Sequence, residues 1–259
     1  ADKPFISPSL FKDRNFALGV VFIFIIGITY LASLALMTPY LQKLMGYPVL
    51  DAGLAMGPRG LGTMLTMFLA GQIIGKVDTR WLLFTGLLLS ALSMHWMSGW
   101  TPDVSMHTLI AVGFVQGASL GLLFVPLNTI AFATLDPKLR ADGTGLFSLS
   151  RNVGSSVGIS LVTVLLTRNT QVLHEEISGL ITPFNRALES WAANSYFNPA
   201  GIAGRTLLDQ TITHQATSMA YLNDFRLLML LAIAVMPLLL LMRPSGKPDR
   251  ADDEAMVLD

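Results

Sequence analysis

The sequence contains no cysteine, which excludes disulfides, thiol catalysis and thiolate metal sites. Charged residues are also scarce, at 13% of 259 residues, compared with roughly 25% in soluble domains. The formal net charge is zero, which argues against a nucleic-acid partner because such proteins carry a basic face. What is abundant is apolar: hydrophobic residues make up 52% of the chain. This composition indicates an all-α membrane protein that crosses the lipid bilayer several times.

Six apolar segments are predicted to be transmembrane helices when a window of about 19 residues is used. They cover residues 16–39, 52–74, 81–100, 108–134, 141–166 and 225–242, and the sixth transmembrane helix as a whole is assigned to residues 221–242. Ten Lys and Arg residues fall in the connections and termini on one side, among them Lys76, Arg80, Lys138 and Arg140. Because cytoplasmic loops carry the excess of Lys and Arg, both termini are predicted to be cytoplasmic.

Three further stretches lie outside these segments. Residues 1–15 are interpreted as the later part of a cytoplasmic linker, so we expect the chain to be part of a longer protein. Residues 167–220 form a long periplasmic segment with helical periodicity, and its second part could continue directly into the sixth span. Residues 243–259 are polar and are predicted to be a disordered cytoplasmic tail.

Acidic residues are missing from the predicted spans. Asp51, Asp78, Asp136 and Asp224 all fall at segment ends or in connections. A carrier driven by protons needs a titratable group within the membrane, and arginine does not release its proton. The sequence therefore offers no acidic candidate for proton handling within the spans, and a single histidine such as His95 is more typical of hydrogen-bonded structure.

Arg151 is the most informative charged residue. It lies ten residues into the fifth segment, about 15 Å along a helix and close to the bilayer midplane. A cation at this depth must face protein or water. Gly154, Ser155 and Gly158 share its helix face, and small residues allow close helix packing. We therefore expect Arg151 to point into a helix bundle, where it would set the charge balance of a central cavity.

Arg59 is a second cation within an apolar segment. Gly62, Thr63 and Thr66 follow it at positions i+3, i+4 and i+7 and give it a small, polar helix face. It lies about two turns from the outer end of the second segment, so its side chain could extend to the membrane surface. The alternative is a role near the outer mouth of a cavity. Both interpretations stay open on the sequence alone.

The fourth segment combines small and polar residues. Gly113, Gly117 and Gly121 repeat at intervals of four, which favours close packing against another helix. Gln116 and Asn128 could be interhelical hydrogen-bonding groups or could line a substrate cavity. With the two arginines, the candidate cavity or gating residues are Arg59, Arg151, Tyr30, Met56, Gln116 and Asn128.

Four stretches carry a family resemblance: PYLQKLMGYPVLDAGLAMGPRGLGTML, GKVDTRWLL, GASLGLLFVPLNTIAFATLD and GLFSLSRNVGSSVGISLVTVLLTRNTQ. They resemble the C-terminal half of a major facilitator superfamily transporter, and most of all the fourteen-helix drug:proton antiporters of the EmrB/QacA type. The resemblance extends over residues 15–243. The combination of PRG in the second segment with SRNVGSSVG in the fifth is its most specific part.

The connection between the second and third segments is similar to a loop motif of this superfamily. Gly71, Lys76 and Arg80 match the motif, whereas Gly75 stands at its acidic position and Asp78 at its second glycine position. The resemblance implies a cytoplasmic loop that makes gating contacts between the two halves of a transporter.

The resemblance also implies a mechanism and partners. A cavity between two six-helix halves would alternate its access and export amphipathic drugs across the bacterial inner membrane, with the proton gradient as energy source and no metal or other cofactor. Expected partners are the N-terminal half, a periplasmic adaptor, which would contact residues 168–220, and an outer-membrane channel.

Other functions remain open on the sequence. The chain could transport a defined solute on the same scaffold, or it could be a non-transporting assembly or regulatory subunit in the membrane. An intramembrane enzyme is disfavoured because the spans contain no HExxH motif, no paired carboxylates and no nucleophile–base arrangement.

Overall fold

The structure is a computed structural model that describes residues 8–181 and 201–242. Within these ranges the chain is helical apart from turns and one isolated bridge between Ile74 and Val77. The long helices are α1 (Arg14–Pro39), α2 (Val49–Ile73), α3 (Thr79–Met97), α4 (Met106–Ala133), α5 (Arg140–Leu180) and α6 (Ile202–Val235). A π-helical turn, Tyr40–Leu44, continues α1, and a 3-10 turn, Met236–Leu241, continues α6. The all-α class predicted from the sequence is confirmed for the described residues.

Short polar side chains fix where several helices begin. Asp13 accepts a hydrogen bond from the backbone N–H of Phe16 at 2.9 Å at the start of α1. Asp78 does the same for Arg80 at 3.0 Å at the start of α3. Such caps satisfy backbone donors that have no partner within the helix. Gly75 has a φ of 88°, which suits glycine, and it makes the sharp turn between α2 and α3.

Four described stretches are long and apolar enough to cross a membrane: Arg14–Leu44, Met106–Ala133, Pro137–Leu180 and Ile202–Leu241. Helices α2 and α3 are not among them. The apolar character of α2 is diluted by Asp51, Arg59 and its glycines, and α3 has only 19 residues and includes His95. The all-helical membrane architecture is therefore clear, while the count of six spans stays a prediction.

Helices α5 and α6 extend well beyond the predicted spans. The 41 residues of α5 correspond to about 60 Å, twice the thickness of a bilayer core of about 30 Å. Residues 167–180 of α5 and 202–220 of α6 therefore form a projecting helix pair. His174 Nε2 and Asp209 Oδ1 join the two helices at 3.0 Å. The rest of the predicted periplasmic segment, 182–200, the linker residues 1–7 and the predicted tail 243–259 lie outside the described residues.

The helices pack around two apolar cores. Close contacts join α2 to α4, α1 to α5, α3 to α4, and α6 to α5 and α3. At the end of the bundle that carries the projecting pair, the core includes the side chains of Tyr40, Trp100, Tyr221 and Phe225. At the opposite end it includes Phe22, Leu127, Phe147 and Leu239.

Two helices present apolar faces that the described chain does not cover. On α2 the side chains of Leu54, Leu61, Met64 and Phe68 are more than half exposed. In the most apolar 18-residue stretch of Pro137–Leu180, 22% of the stretch is buried. The corresponding share in Arg14–Leu44 is 56%. These faces are therefore available to lipid or to further helices.

The position of Asp224 corrects the sequence analysis, which placed it at the edge of the sixth span. The structure places Asp224 inside α6, eleven residues before its last residue, and only 1% of it is exposed. The difference arises because α6 runs without interruption from the projecting pair into the bundle. A window that begins with the apolar run at Phe225 cannot detect this continuation.

Candidate substrate cavity

Arg59 is buried among three helices. Only 5% of it is exposed, and its Nη2 donates hydrogen bonds to the carbonyl oxygen of Tyr30 at 3.2 Å and to Ser33 Oγ at 3.0 Å. Its guanidinium carbon lies 4.2 Å from the centroid of the Tyr30 ring, within the range of a cation–π interaction. The side chain therefore turns into the bundle towards α1 and does not extend to the membrane surface.

Ser33 connects the helices around Arg59. Gln116 Nε2 on α4 donates to Ser33 Oγ at 3.0 Å, and Ser33 Oγ donates to the Tyr30 carbonyl at 2.8 Å. The side chains of Met56, Arg59 and Gln116 line a cavity of about 10 Å³ at this point, about the space of one water molecule. The network thus links α1, α2 and α4 through a single hydroxyl group.

No acidic side chain in the described ranges neutralises the charge of Arg59. Among the described residues, the one ion pair within 4.0 Å is His174 with Asp209. Arg59 Nε and Nη1 are buried without a hydrogen-bond partner in the same part of the chain, as is Gln116 Oε1. Because a buried donor without a partner is unfavourable, a hydrogen-bond acceptor small enough for this cavity would be favoured here.

Arg151 lies in a second and larger cavity. This cavity has a volume of about 320 Å³. The Arg151 side chain is half-buried, and its guanidinium carbon lies 5.7 Å from the centroid of the Phe124 ring. Tyr30 and Asn152 also line the cavity, together with the smaller or aliphatic residues Ile23, Ile26, Gly27, Leu31 and Leu120. Tyr30 therefore contacts Arg59 and also faces the Arg151 cavity.

Glycines allow the backbones beside both arginines to approach closely. A Cβ atom on Gly117 would collide with the carbonyl oxygen of Arg59, and one on Gly154 would collide with that of Phe24. Gly121 and Gly158 likewise lie directly against the backbones of α2 and α1. Gly113 differs, because the nearest atom to its added Cβ would be the Ala55 carbonyl oxygen at 3.8 Å, an ordinary contact.

Of the two remaining candidate residues, one lines a cavity and the other does not. Met56 lines the small cavity beside Arg59. Asn128 lines neither cavity. Its Nδ2 donates to the Phe124 carbonyl of its own helix at 2.7 Å. Sequence reasoning missed Ser33 and Phe124. Ser33 had one weak signal, a polar residue one turn after Tyr30 within an apolar run.

The residues of the loop motif lie together at the end of the bundle opposite the projecting pair. Gly71 is exposed near the end of α2, with open space where a Cβ would be. Lys76 and Asp78 are exposed in or beside the turn, and Arg80 is half-buried in the first turn of α3. The gating contacts expected of this loop stay a prediction.

Known proteins with similar sequences identify the family of this chain. The sequence matches the Major Facilitator Superfamily over residues 1–169. It is 30% identical to the probable multidrug resistance protein EmrY of Escherichia coli K12, over 88% of this chain and 45% of EmrY. It is 30% identical to the fatty acid resistance protein FarB of Neisseria gonorrhoeae, over 93% of this chain and 48% of FarB. It is 29% identical to the multidrug export protein EmrB of E. coli K12, over 71% of this chain and 36% of EmrB.

The chain thus spans about half the length of EmrY and FarB and about a third of that of EmrB. The family match covers more than half of the 259 residues, and the resemblance to EmrB-like transporters that the PRG and SRNVGSSVG stretches indicated is confirmed. The chain is a multi-pass membrane protein that belongs to the Major Facilitator Superfamily.

Proposed function

We propose that the chain is the C-terminal half of a proton-coupled multidrug transporter that exports amphipathic compounds across the bacterial inner membrane. The observation that carries this proposal is the cavity around Tyr30, which is apolar and aromatic except for Arg151 and Asn152. Apolar walls with a few polar groups are typical of sites for small organic molecules. The names of EmrY and EmrB describe multidrug resistance and export and support the same conclusion.

The volume of the cavity suits half of such a site. Its 320 Å³ lies at the lower limit of the roughly 300–1,000 Å³ of drug-sized pockets. The largely uncovered α5, which carries Arg151, and the exposed apolar face of α2 offer surfaces for a second set of helices. A six-span N-terminal half packed there would enlarge the cavity and allow alternating access by rocking of the two halves.

Orientation and energy source complete the proposal. Six spans with both termini in the cytoplasm would place the loop motif on the cytoplasmic side and the projecting pair in the periplasm, as the distribution of Lys and Arg favours. Inward proton flow would then drive export, without a metal or organic cofactor.

Ethidium efflux tests this function. The transporter that contains this chain, expressed in cells without their own drug exporters, should lower ethidium accumulation, and a protonophore should abolish the effect. Tyr30→Ala should reduce efflux several-fold because it removes the wall shared by Arg59 and the cavity. Tyr47→Ala, a half-buried tyrosine in the turn before α2, is the matched control. Accumulation that is unchanged by expression would refute the proposal.

The projecting pair is our candidate contact for a periplasmic adaptor. The cysteine-free sequence allows single reactive sites to be introduced at Glu176, which is exposed on α5, and at Leu208, which is half-buried on α6. Crosslinks from these two positions to a periplasmic protein, but not from Lys138 at the opposite end, support the contact. Crosslinks from none of the three count against it.

A second candidate cargo is an amphipathic anion such as a long-chain fatty acid. Neither Arg59 nor Arg151 forms an ion pair with a carboxylate among the described residues, so a cargo carboxylate could pair with Arg151 in the open cavity. The name of FarB describes fatty acid resistance. Expression should then protect cells from oleate, and oleate should inhibit ethidium efflux. Protection from ethidium without protection from oleate would exclude this second cargo.

A further inference from the structure

Asp224 is a buried acid that the cavity around Tyr30 does not use. It shares the buried face of α6 with Tyr221 and Leu228, and its Oδ2 has no hydrogen-bond partner among the described residues. Burial of an ionised carboxylate without a partner is unfavourable, whereas the neutral acid is far easier to bury. Acidic groups placed in this way within membrane proteins commonly belong to proton or ion pathways.

The aromatic cluster that contains the neighbours of Asp224 on α6, Tyr221 and Phe225, includes further unpartnered polar groups in the described part of the chain. Tyr40 Oη and Trp100 Nε1 are buried and have no hydrogen-bond partner in the described ranges. The ring of Tyr40 lies 5.3 Å from that of Tyr221 and 5.8 Å from that of Trp100, measured between centroids. Trp100 in turn lies 6.2 Å from Phe225. An O–H and an N–H donor, groups from which a carboxylate accepts hydrogen bonds, thus belong to the same aromatic cluster as the helix segment that carries Asp224.

A surface pocket borders this cluster at Tyr221. It has a volume of about 480 Å³ and lies between α6 and the π-helical turn, at the end of the bundle that carries the projecting pair. His214 Nε2 donates to the Leu44 carbonyl oxygen at 3.0 Å and closes one side of the pocket. Tyr221 lines the pocket, belongs to the aromatic cluster and precedes Asp224 by three residues. The other residues that line the pocket are Lys43, Asp209, Gln210, Thr213 and Thr217.

The other ionisable groups on α6 and on the elements packed against it do not pair with Asp224 among the described residues. Elements packed against α6 contribute Tyr40, which is buried, and groups that are half-buried or exposed: His95, Lys43, Arg151, Arg168, His174 and Arg140. On α6 itself, Tyr221 is buried, whereas Arg226, His214 and Asp209 are exposed. None of them lies within ion-pair distance of the Asp224 carboxyl among the described residues.

We propose that Asp224 binds a proton, which reaches it from the outer side through the pocket that Tyr221 lines. The inference deepens the proposed function, since an exporter driven by inward proton flow must take up its protons from that side. The carboxylate oxygen gains the proton of a hydronium ion from the pocket, and a water molecule remains there. Release on the opposite side returns Asp224 to the carboxylate form.

Infrared difference spectroscopy of the 259-residue chain in lipid nanodiscs tests the proton site directly. Between acidic and alkaline buffer, the wild-type chain should lose the C=O band of a protonated carboxyl group. Asp224→Asn should lack this band, whereas Glu176→Gln, which removes an exposed acid of α5 that does not line the pocket, should retain it. Asp224→Glu should shift the band, which keeps the test decisive if the asparagine variant is unstable. A band that is unchanged in both Asp224 variants, or no band in the wild-type chain, overturns the proposal.

The route of entry has its own readout. Tyr221→Phe keeps the ring in the aromatic cluster and removes the hydroxyl group, so the band should remain but exchange its proton for deuterium more slowly than in the wild-type chain. Equal exchange rates would overturn the route through Tyr221. These spectra require no transport. A chain that shows the Asp224 band while the complete transporter exports no drug would therefore refute the efflux function and support the proton site.

Discussion

Arg59 and Arg151 are both cations in apolar helices, but they differ in burial and in the contacts that they make. Arg59 is 5% exposed and is held by the Tyr30 carbonyl, the Ser33 hydroxyl and the Tyr30 ring. Arg151 is half-buried, and its described contact is the more distant Phe124 ring in an open cavity. Arg59 is therefore suited to hold helices together, whereas Arg151 is free to meet a ligand.

At the scale of single residues, Ser33→Ala should destabilise the bundle. The substitution removes the hydroxyl that accepts from both Arg59 and Gln116, and the loss of a buried hydrogen bond to a charged group costs about 1–3 kcal/mol. The midpoint of thermal unfolding in detergent should fall. Ser156→Ala, at an exposed position of α5, is the control and should leave the midpoint unchanged. Equal midpoints for the two variants would show that the Ser33 network contributes nothing to stability.

Arg151→Ala should impair transport and leave the fold intact. The side chain makes no hydrogen bond within the described ranges, so its removal leaves no buried partner unsatisfied. We expect at least a several-fold loss of ethidium efflux from the complete transporter, with an unchanged amount of protein in the membrane. Arg140→Ala, which removes an exposed cation at the start of the same helix, should transport normally. Wild-type efflux by the Arg151 variant would reduce this residue to a structural role.

At the scale of helices, two glycine substitutions should change stability in opposite directions. Gly117→Ala places a Cβ atom against the backbone carbonyl of Arg59, which cannot move aside without separating α2 from α4. Gly60→Ala adds the same atom to open space and should stabilise its helix by about 0.5–1 kcal/mol through lower flexibility of the unfolded chain. Thermal unfolding of the two variants checks the prediction, and a stabilised Gly117 variant would contradict the packing of α2 on α4.

How much of these helices the sequence could predict depends on the kind of signal. The hydropathy of successive stretches predicted the central part of each helix, because hydropathy depends only on neighbouring residues in the sequence. Spacing alone could not distinguish Gly117, which lies against the backbone of Arg59, from Gly113, which does not. The position of the neighbouring helix determines which glycine is in close contact. The burial of Asp224 was missed for a related reason: it depends on the continuation of α6 out of the bundle and on the aromatic residues of other helices.

At the scale of the whole molecule, the pocket and the loop motif lie at opposite ends, and the Tyr30 cavity lies between them. The pocket beside Tyr221 opens at the end with the projecting pair, and the loop motif lies at the other end. The Tyr30 cavity and the Arg59 network contact the central part of α1. A carrier with alternating access needs this division, since protons and cargo must reach the interior from different sides.

Cysteine labelling can establish which end faces the periplasm, because the natural sequence contains no cysteine. Gln171→Cys lies on the exposed surface of the projecting part of α5, and Lys138→Cys lies on the exposed turn at the opposite end. In intact cells a maleimide that cannot cross the inner membrane should label Gln171→Cys and leave Lys138→Cys unlabelled, while permeabilised cells should label both. The reverse pattern would place the Tyr221 pocket in the cytoplasm. Asp224 would then face the wrong side to take up protons that drive export, even if its infrared band were present.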